Sequence, residues 1–195
     1  MKKDIILAGV GGQGILSIAA VIGTAALADG LYIKQSEVHG MSQRGGAVVS
    51  HLRISDKPIY SDLIPYGGAD MILSIEPMEA LRYLPYLSEN GWIIANTKPY
   101  VNIPDYPDKE KLFSELNSRK NVVLVDADGI ARKIHSPRSS NIVMVGAASA
   151  YLEIPFEKLE EGIRSIFGRK GDDIVNLNLE ALNAGKQAAK DFLND

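Results

Sequence analysis

Short apolar runs separated by polar or glycine-bearing turns set the rhythm of this chain. Residues 5–8 (Ile-Ile-Leu-Ala) have the pattern of a buried strand. A glycine-rich turn follows, and residues 13–28 are apolar on most sides, as in a buried helix. Asp29-Gly30 stops that helix, and residues 31–38 are a second strand. Beyond a polar loop, residues 47–54 are rich in β-formers, and residues 59–64 are expected to pair with them across a turn at Asp56-Lys57-Pro58. Residues 71–75 form another strand, and Pro77 opens a helix running to about residue 87. Residues 91–96 form the next strand. Residues 98–107, with Pro99, Pro104 and Pro107, make an irregular crossing, followed by a helix at 109–118 and a strand at 122–125.

The remainder is helical, with segments at 127–134, 141–151 and 156–167. A last helix repeats Val175, Leu179, Leu182, Ala189 and Leu193 at helical spacing. Asn141 and Asn176 are expected to cap the helices they open. Strands alternating with helices predict an α/β fold: a three-layer, Rossmann-like domain with a mostly parallel sheet and a β-hairpin insertion after the second strand. With no repeat, low-complexity tract or linker, residues 1–195 are expected to form a single domain.

Composition narrows the chemistry. At 195 residues, 46% hydrophobic and 23% charged, the chain suits one ordinary core. A net charge of −3 without a basic stripe argues against nucleic acid as a partner. There is no cysteine, so disulfides, thiolate catalysis and Cys-held metal clusters are excluded within this chain, and a cytoplasmic setting is expected. The uncharged stretch 5–28 behind Lys2-Lys3 imitates a signal peptide or membrane span. Its glycine cluster favours a buried strand–turn–helix instead, and no membrane association is expected.

Gly9, Gly11 and Gly14 satisfy G-x-G-x-x-G between strand and helix, with Glu37 placed to serve as a ribose-binding acid. A dinucleotide site and a purely structural tight turn both fit that spacing. The segment Ser36-Glu37-Val38-His39-Gly40-Met41-Ser42-Gln43-Arg44-Gly45-Gly46 is costly to order without a binding role. Arg44 suits a phosphate or carboxylate, Ser42 and Gln43 add hydrogen bonds, and Gly45-Gly46 allows close backbone approach. His39, His51 and His135 lack metal-ligand spacing, and no metal site is expected. His135 is expected to be exposed near a helix end. Asp126 and Asp128 follow a strand and fit capping chemistry. Tyr83, Tyr86 and Trp92 fit core or interface positions.

Taken together, Gly9-Val10-Gly11-Gly12-Gln13-Gly14, the 36–46 segment, Val49-Ser50-His51-Leu52-Arg53-Ile54 and Asn141-Ile142-Val143-Met144-Val145-Gly146-Ala147 resemble the gamma-type domain of 2-oxoacid:ferredoxin oxidoreductases. The His-Gly-Met-Ser-Gln-Arg-Gly-Gly form is most similar to the indolepyruvate type. His135-Ser136 departs from the Gly-Asn often found near that position in the family. The resemblance implies the small subunit of an enzyme converting 2-oxoacids, here indolepyruvate or another arylpyruvate, to acyl-coenzyme A, CO2 and reduced ferredoxin. It implies thiamine diphosphate and iron–sulfur clusters on a large partner subunit, coenzyme A as co-substrate, and no catalytic residue in this chain alone. Gly11, Gly12, Gln13 and Gly14 with Ser42, Gln43, Arg44, Gly45 and Gly46 are expected to form one cofactor-facing surface. A homodimer of the isolated chain fits the same picture. The alternative is a stand-alone NAD- or FAD-binding module.

Overall fold

Alternate residues of the first strand face opposite ways: Ile5 and Leu7 join one apolar cluster, and Ile6 and Ala8 join another. The sheet is therefore buried on both faces, which explains its continuous apolar runs. The structure, a computed structural model, describes residues 1–39, 45–101 and 103–194. Six strands make one sheet: β1 (Lys2–Val10), β2 (Tyr32–His39), β3 (Ala47–Ser55), β4 (Ala69–Ser74), β5 (Leu87–Asn96) and β6 (Val122–Val125), in the order β2-β3-β1-β4-β5-β6. The β1–β4, β4–β5 and β5–β6 pairs are parallel, whereas β3 is antiparallel to both β1 and β2. The sheet is mostly parallel, as expected.

One face carries α1 (Ile15–Ala28), α4 (Ala127–Lys133), α5 (Ser140–Ala148), α6 (Phe156–Phe167) and α7 (Asp172–Asn194). The other carries α2 (Pro77–Arg82) and α3 (Lys109–Asn117). Helices α5 and α7 cross almost in backbone contact. A Cβ on Gly146 would overlap the Leu182 carbonyl, and one on Gly185 the Val143 carbonyl. No helix among the described residues is long and apolar enough to cross a membrane.

Four local expectations are corrected. Residues 59–64 form no strand, because both backbone edges of β3 are already taken by β1 and β2. Side chains of β3 hold that segment instead. Arg53 donates to the Ser61 and Leu63 carbonyls while chelating buried Asp4 at 2.7 and 3.0 Å, and the Ile64 N–H donates to Nδ1 of His51. The hairpin is thus β2–β3, with β3 inside the sheet. The helix begun at Pro77 ends at Arg82, and Leu84–Tyr86 is a 3₁₀ turn leading into β5, which begins at Leu87. Pro85 disfavours α geometry at the residue before it. Neither asparagine is a cap: α5 is entered from Ser139, and Asn176 lies inside α7, which begins at Asp172.

Candidate functional site

The carboxyl ends of β1, β4, β5 and β6 open onto a common edge, where open α/β sheets hold their ligands. After β1 the chain moves to the β3–β2 side, and after β4 it moves towards β5 and β6, so the β1–β4 gap is a topological switch. Two adjoining cavities of about 550 and 530 Å³ lie along this edge. Gly12, Gln13, Pro137 and Arg138 line both. The first extends to His135, Lys170 and Asn178, and the second to Lys98, Tyr100 and Asp128.

The glycine turn forms one bank. Gly12 and Gly14 have φ of 98° and 85°, a left-handed conformation that glycine adopts without a Cβ penalty. The Gln13 side chain folds back so that its Oε1 accepts from the Val10 N–H at 2.8 Å, which leaves its Nε2 as the remaining donor. Helix α1 starts from Gly14 with no side-chain cap and no acidic residue in its first turn. Its positive end is therefore uncompensated where it meets the crevice. Asn141, buried on α5, donates from Nδ2 to the Gly14 carbonyl at 3.3 Å and fixes the turn against the helical layer.

The turn and the loop before β3 are physically joined. The Gly11 N–H donates to the Gly46 carbonyl at 2.8 Å, and the Gly45 N–H reaches the Gly11 carbonyl at 3.5 Å. Gly11 thereby ties the turn to the loop through its own N–H and carbonyl. The N–H groups of Gly12 and Gly14 have no acceptor among the described residues. Ser42, Gln43 and Arg44 lie outside the described residues, as does the side chain of His39.

The opposite bank was not anticipated from sequence. Arg138 is exposed at the junction of the two cavities and has no ion-pair partner among the described residues. Below it, the buried Ser136 and Ser139 hydroxyls lie 2.7 Å apart, and the Ser139 hydroxyl donates to Asn178 Oδ1 at 3.2 Å. His135 is exposed just past α4, as expected, with φ of 55°. That is a left-handed position, where glycine is at ease. The signal in the letters was Pro137-Arg138-Ser139-Ser140, a polar cationic run directly before an uncharged helix.

A third wall is the 98–106 crossing. Fully buried Glu76 accepts from Glu79 N–H with Oε2, and with Oε1 from both the Tyr100 N–H and the Tyr106 hydroxyl. Burial first, and then this hydrogen bond, push the Tyr106 phenol above its usual range. Burial likewise raises Glu79, against the opposing Arg82 ion pair at 2.9 Å. Asn96 donates to the Ile75 carbonyl and to Asp128, and accepts from the Ala127 N–H, tying the ends of β4 and β5 to α4. Asp126 caps α4 as expected, whereas Asp128 pairs with Lys98 at 3.1 Å. Tyr86 and Tyr83 pack on the α2 side of the sheet, and Trp92 packs on Tyr151. No three potential metal-ligating His, Asp or Glu residues converge among the described residues.

Glu37 does not stand where a dinucleotide fold needs its acid. Its strand, β2, is separated from β1 by β3, which sets Glu37 two strand spacings, about 9–10 Å, from Leu7, and further still from the glycine turn. The segment at Gly45 and Gly46 is also hydrogen-bonded to that turn.

The profile described as pyruvate ferredoxin/flavodoxin oxidoreductase matches residues 4–188. The chain belongs to this family. Subunit IorB of indolepyruvate oxidoreductase from Archaeoglobus fulgidus is 40% identical, with 97% of this chain and 96% of that one aligned. The corresponding subunit from Pyrococcus horikoshii is 37% identical over the whole of both chains. A 2-oxoglutarate:ferredoxin oxidoreductase from Magnetococcus marinus, solved with 2-oxoglutarate, coenzyme A and succinyl-CoA, shares the fold at a TM-score of 0.77 and 24% identity. That match covers 97% of this chain but 31% of the much longer Magnetococcus chain. The protein is accordingly the small subunit of a 2-oxoacid:ferredoxin oxidoreductase.

Proposed function

We propose that this chain supplies the coenzyme A-binding side of a thiamine-diphosphate-dependent indolepyruvate or arylpyruvate:ferredoxin oxidoreductase of the cytoplasm. Its products are acyl-CoA, CO2 and reduced ferredoxin. The one observation that carries this reading is convergence on a single crevice: the Gly12 and Gly14 N–H groups, the uncapped start of α1 and Arg138. Each favours an anion, and together they suit a phosphate-bearing ligand. The names of the archaeal relatives support indolepyruvate as substrate, and the ligands of the Magnetococcus enzyme support coenzyme A.

In this reading a large partner subunit holds thiamine diphosphate and the iron–sulfur clusters. A chain without cysteine lacks the thiolates such clusters use. The thiamine supplies the decarboxylating chemistry on the 2-oxoacid when bound, and the clusters supply the electron path. The residues of this chain bind and orient. The glycine turn and Arg138 hold phosphate oxygens, Lys170 and His135 add positive charge or donors, and Gln13 Nε2 offers a neutral donor. Ser42, Gln43, Arg44, Gly45 and Gly46 form the rest of the same surface, Gly45 and Gly46 by backbone approach.

The assembled complex provides the test. Arg138→Ala is expected to raise the KM for coenzyme A by roughly tenfold or more, the scale of one charge-assisted hydrogen bond, with little change in kcat or in the KM for the 2-oxoacid. An unchanged KM for coenzyme A overturns the assignment of this crevice.

A further inference from the structure

Exposed apolar side chains stand beside this crevice, and one of them, Tyr100, lines it. On the 98–106 crossing, Val101 is 72% exposed, and Tyr100 and Ile103 are also exposed. Leu16 is also exposed, on the first turn of α1 directly after the glycine turn. The crossing is not a slack loop. Glu76 is buried beneath it and grips it twice, at the Tyr100 N–H and at the Tyr106 hydroxyl. Lys98, at its foot, is held by Asp128. Tyr100, Val101 and Ile103 thus form an exposed apolar crest, next to the wall that Lys98, Pro99 and Tyr100 give the crevice. An apolar crest with polar, charged groups beside it is the layout of a protein–protein contact.

We propose that this crest, Tyr100, Val101 and Ile103, is the surface on which the large cofactor-bearing subunit docks. The inference rests on the functional reading above and gives the partner a place on this chain. Tyr100 and Lys98 line the crevice itself, so whatever covers the crest also covers the mouth. A second copy of this chain seated there would shut the crevice off from the reacting 2-oxoacid. The large subunit brings that substrate to it. Other exposed apolar groups, such as Tyr60 and Leu63 on the segment after β3, lie away from the crevice and serve as controls.

The large subunit, purified from the native complex, is titrated with wild-type or variant chain, and association is followed by calorimetry and by recovered activity. Val101→Asp with Ile103→Asp is expected to weaken association by roughly tenfold or more, as charge in an interface centre does. Tyr60→Asp with Leu63→Asp is expected to leave it within about twofold, the behaviour of positions outside a contact. Circular dichroism of each variant verifies that it is folded. Unchanged association of the crest variant overturns the proposal, and so does an equal loss in the control. Loss of self-association alone would assign the crest to a second copy and equally overturn it. A large subunit lacking thiamine diphosphate, or a complex inert towards coenzyme A, would instead sink the functional reading while leaving the docking result intact.

Discussion

His51 shows how a single residue can join two segments and respond to pH. It is buried on β3, meets the Tyr86 ring edge-on at 5.2 Å, and its Nδ1 accepts the Ile64 N–H at 3.0 Å. That acceptor exists only in the unprotonated ring. Burial lowers its pKa most; nearby Asp62 opposes this and Arg53 adds to it. The unfolded chain therefore binds the proton more readily than the folded one, and stability rises with pH across the interval between the two values. Stability is full above the ordinary histidine range, about pH 6.5, and declines below it until the folded ring also titrates. Thermal midpoints between pH 7.5 and 5 are expected to fall, with a shallower slope in His51→Phe. Residue-level legibility was uneven for a related reason. The glycine turn could be read from its letters because strand, turn and helix are contiguous. Asn141 was read as a cap because its partner, the Gly14 carbonyl, is 127 residues away in the chain.

Among the elements, apolar runs located β1, β3, β4 and β5, since burial on both faces writes itself into consecutive residues, whereas β2 is a polar, partly exposed edge strand. What those runs could not convey was who pairs with whom. Residues 59–64 carry β-type letters, yet the strand they were expected to join was already flanked, and Arg53 and His51 hold them by side chains instead. The interior place of β3 depends on pairing across the sheet, which local pattern does not record. The 135–140 turn was missed because its cationic role arises only when α5 stacks behind the glycine turn. The α5–α7 crossing is the most demanding contact between elements. Gly185→Ala places a methyl against the Val143 carbonyl, where backbone must move. A loss of about 1–3 kcal/mol is expected, the range for overpacked cores, read as a lower urea midpoint with unchanged m.

For the whole molecule, one antiparallel strand changes what a familiar fingerprint means. G-x-G-x-x-G stands at the end of β1 as in dinucleotide-binding domains, but β3 separates it from the strand bearing Glu37. The Gly11 N–H is also spent on Gly46. The purified chain is expected to show no saturable NAD or FAD binding at micromolar concentrations by calorimetry. Saturable micromolar binding would restore the stand-alone dinucleotide reading.

The glycine-to-backbone seam between α5 and α7 also has a mechanical consequence. The crevice bank built from Ser139, Asn141 and Asn178 belongs to those two helices, and with no side chains between them at the seam they cannot slide without lifting apart. That bank behaves as an anvil. The facing wall is pinned as well, by Glu76 at the Tyr100 N–H and the Tyr106 hydroxyl and by Asp128 at Lys98. The small subunit is built to be pressed against rather than to yield.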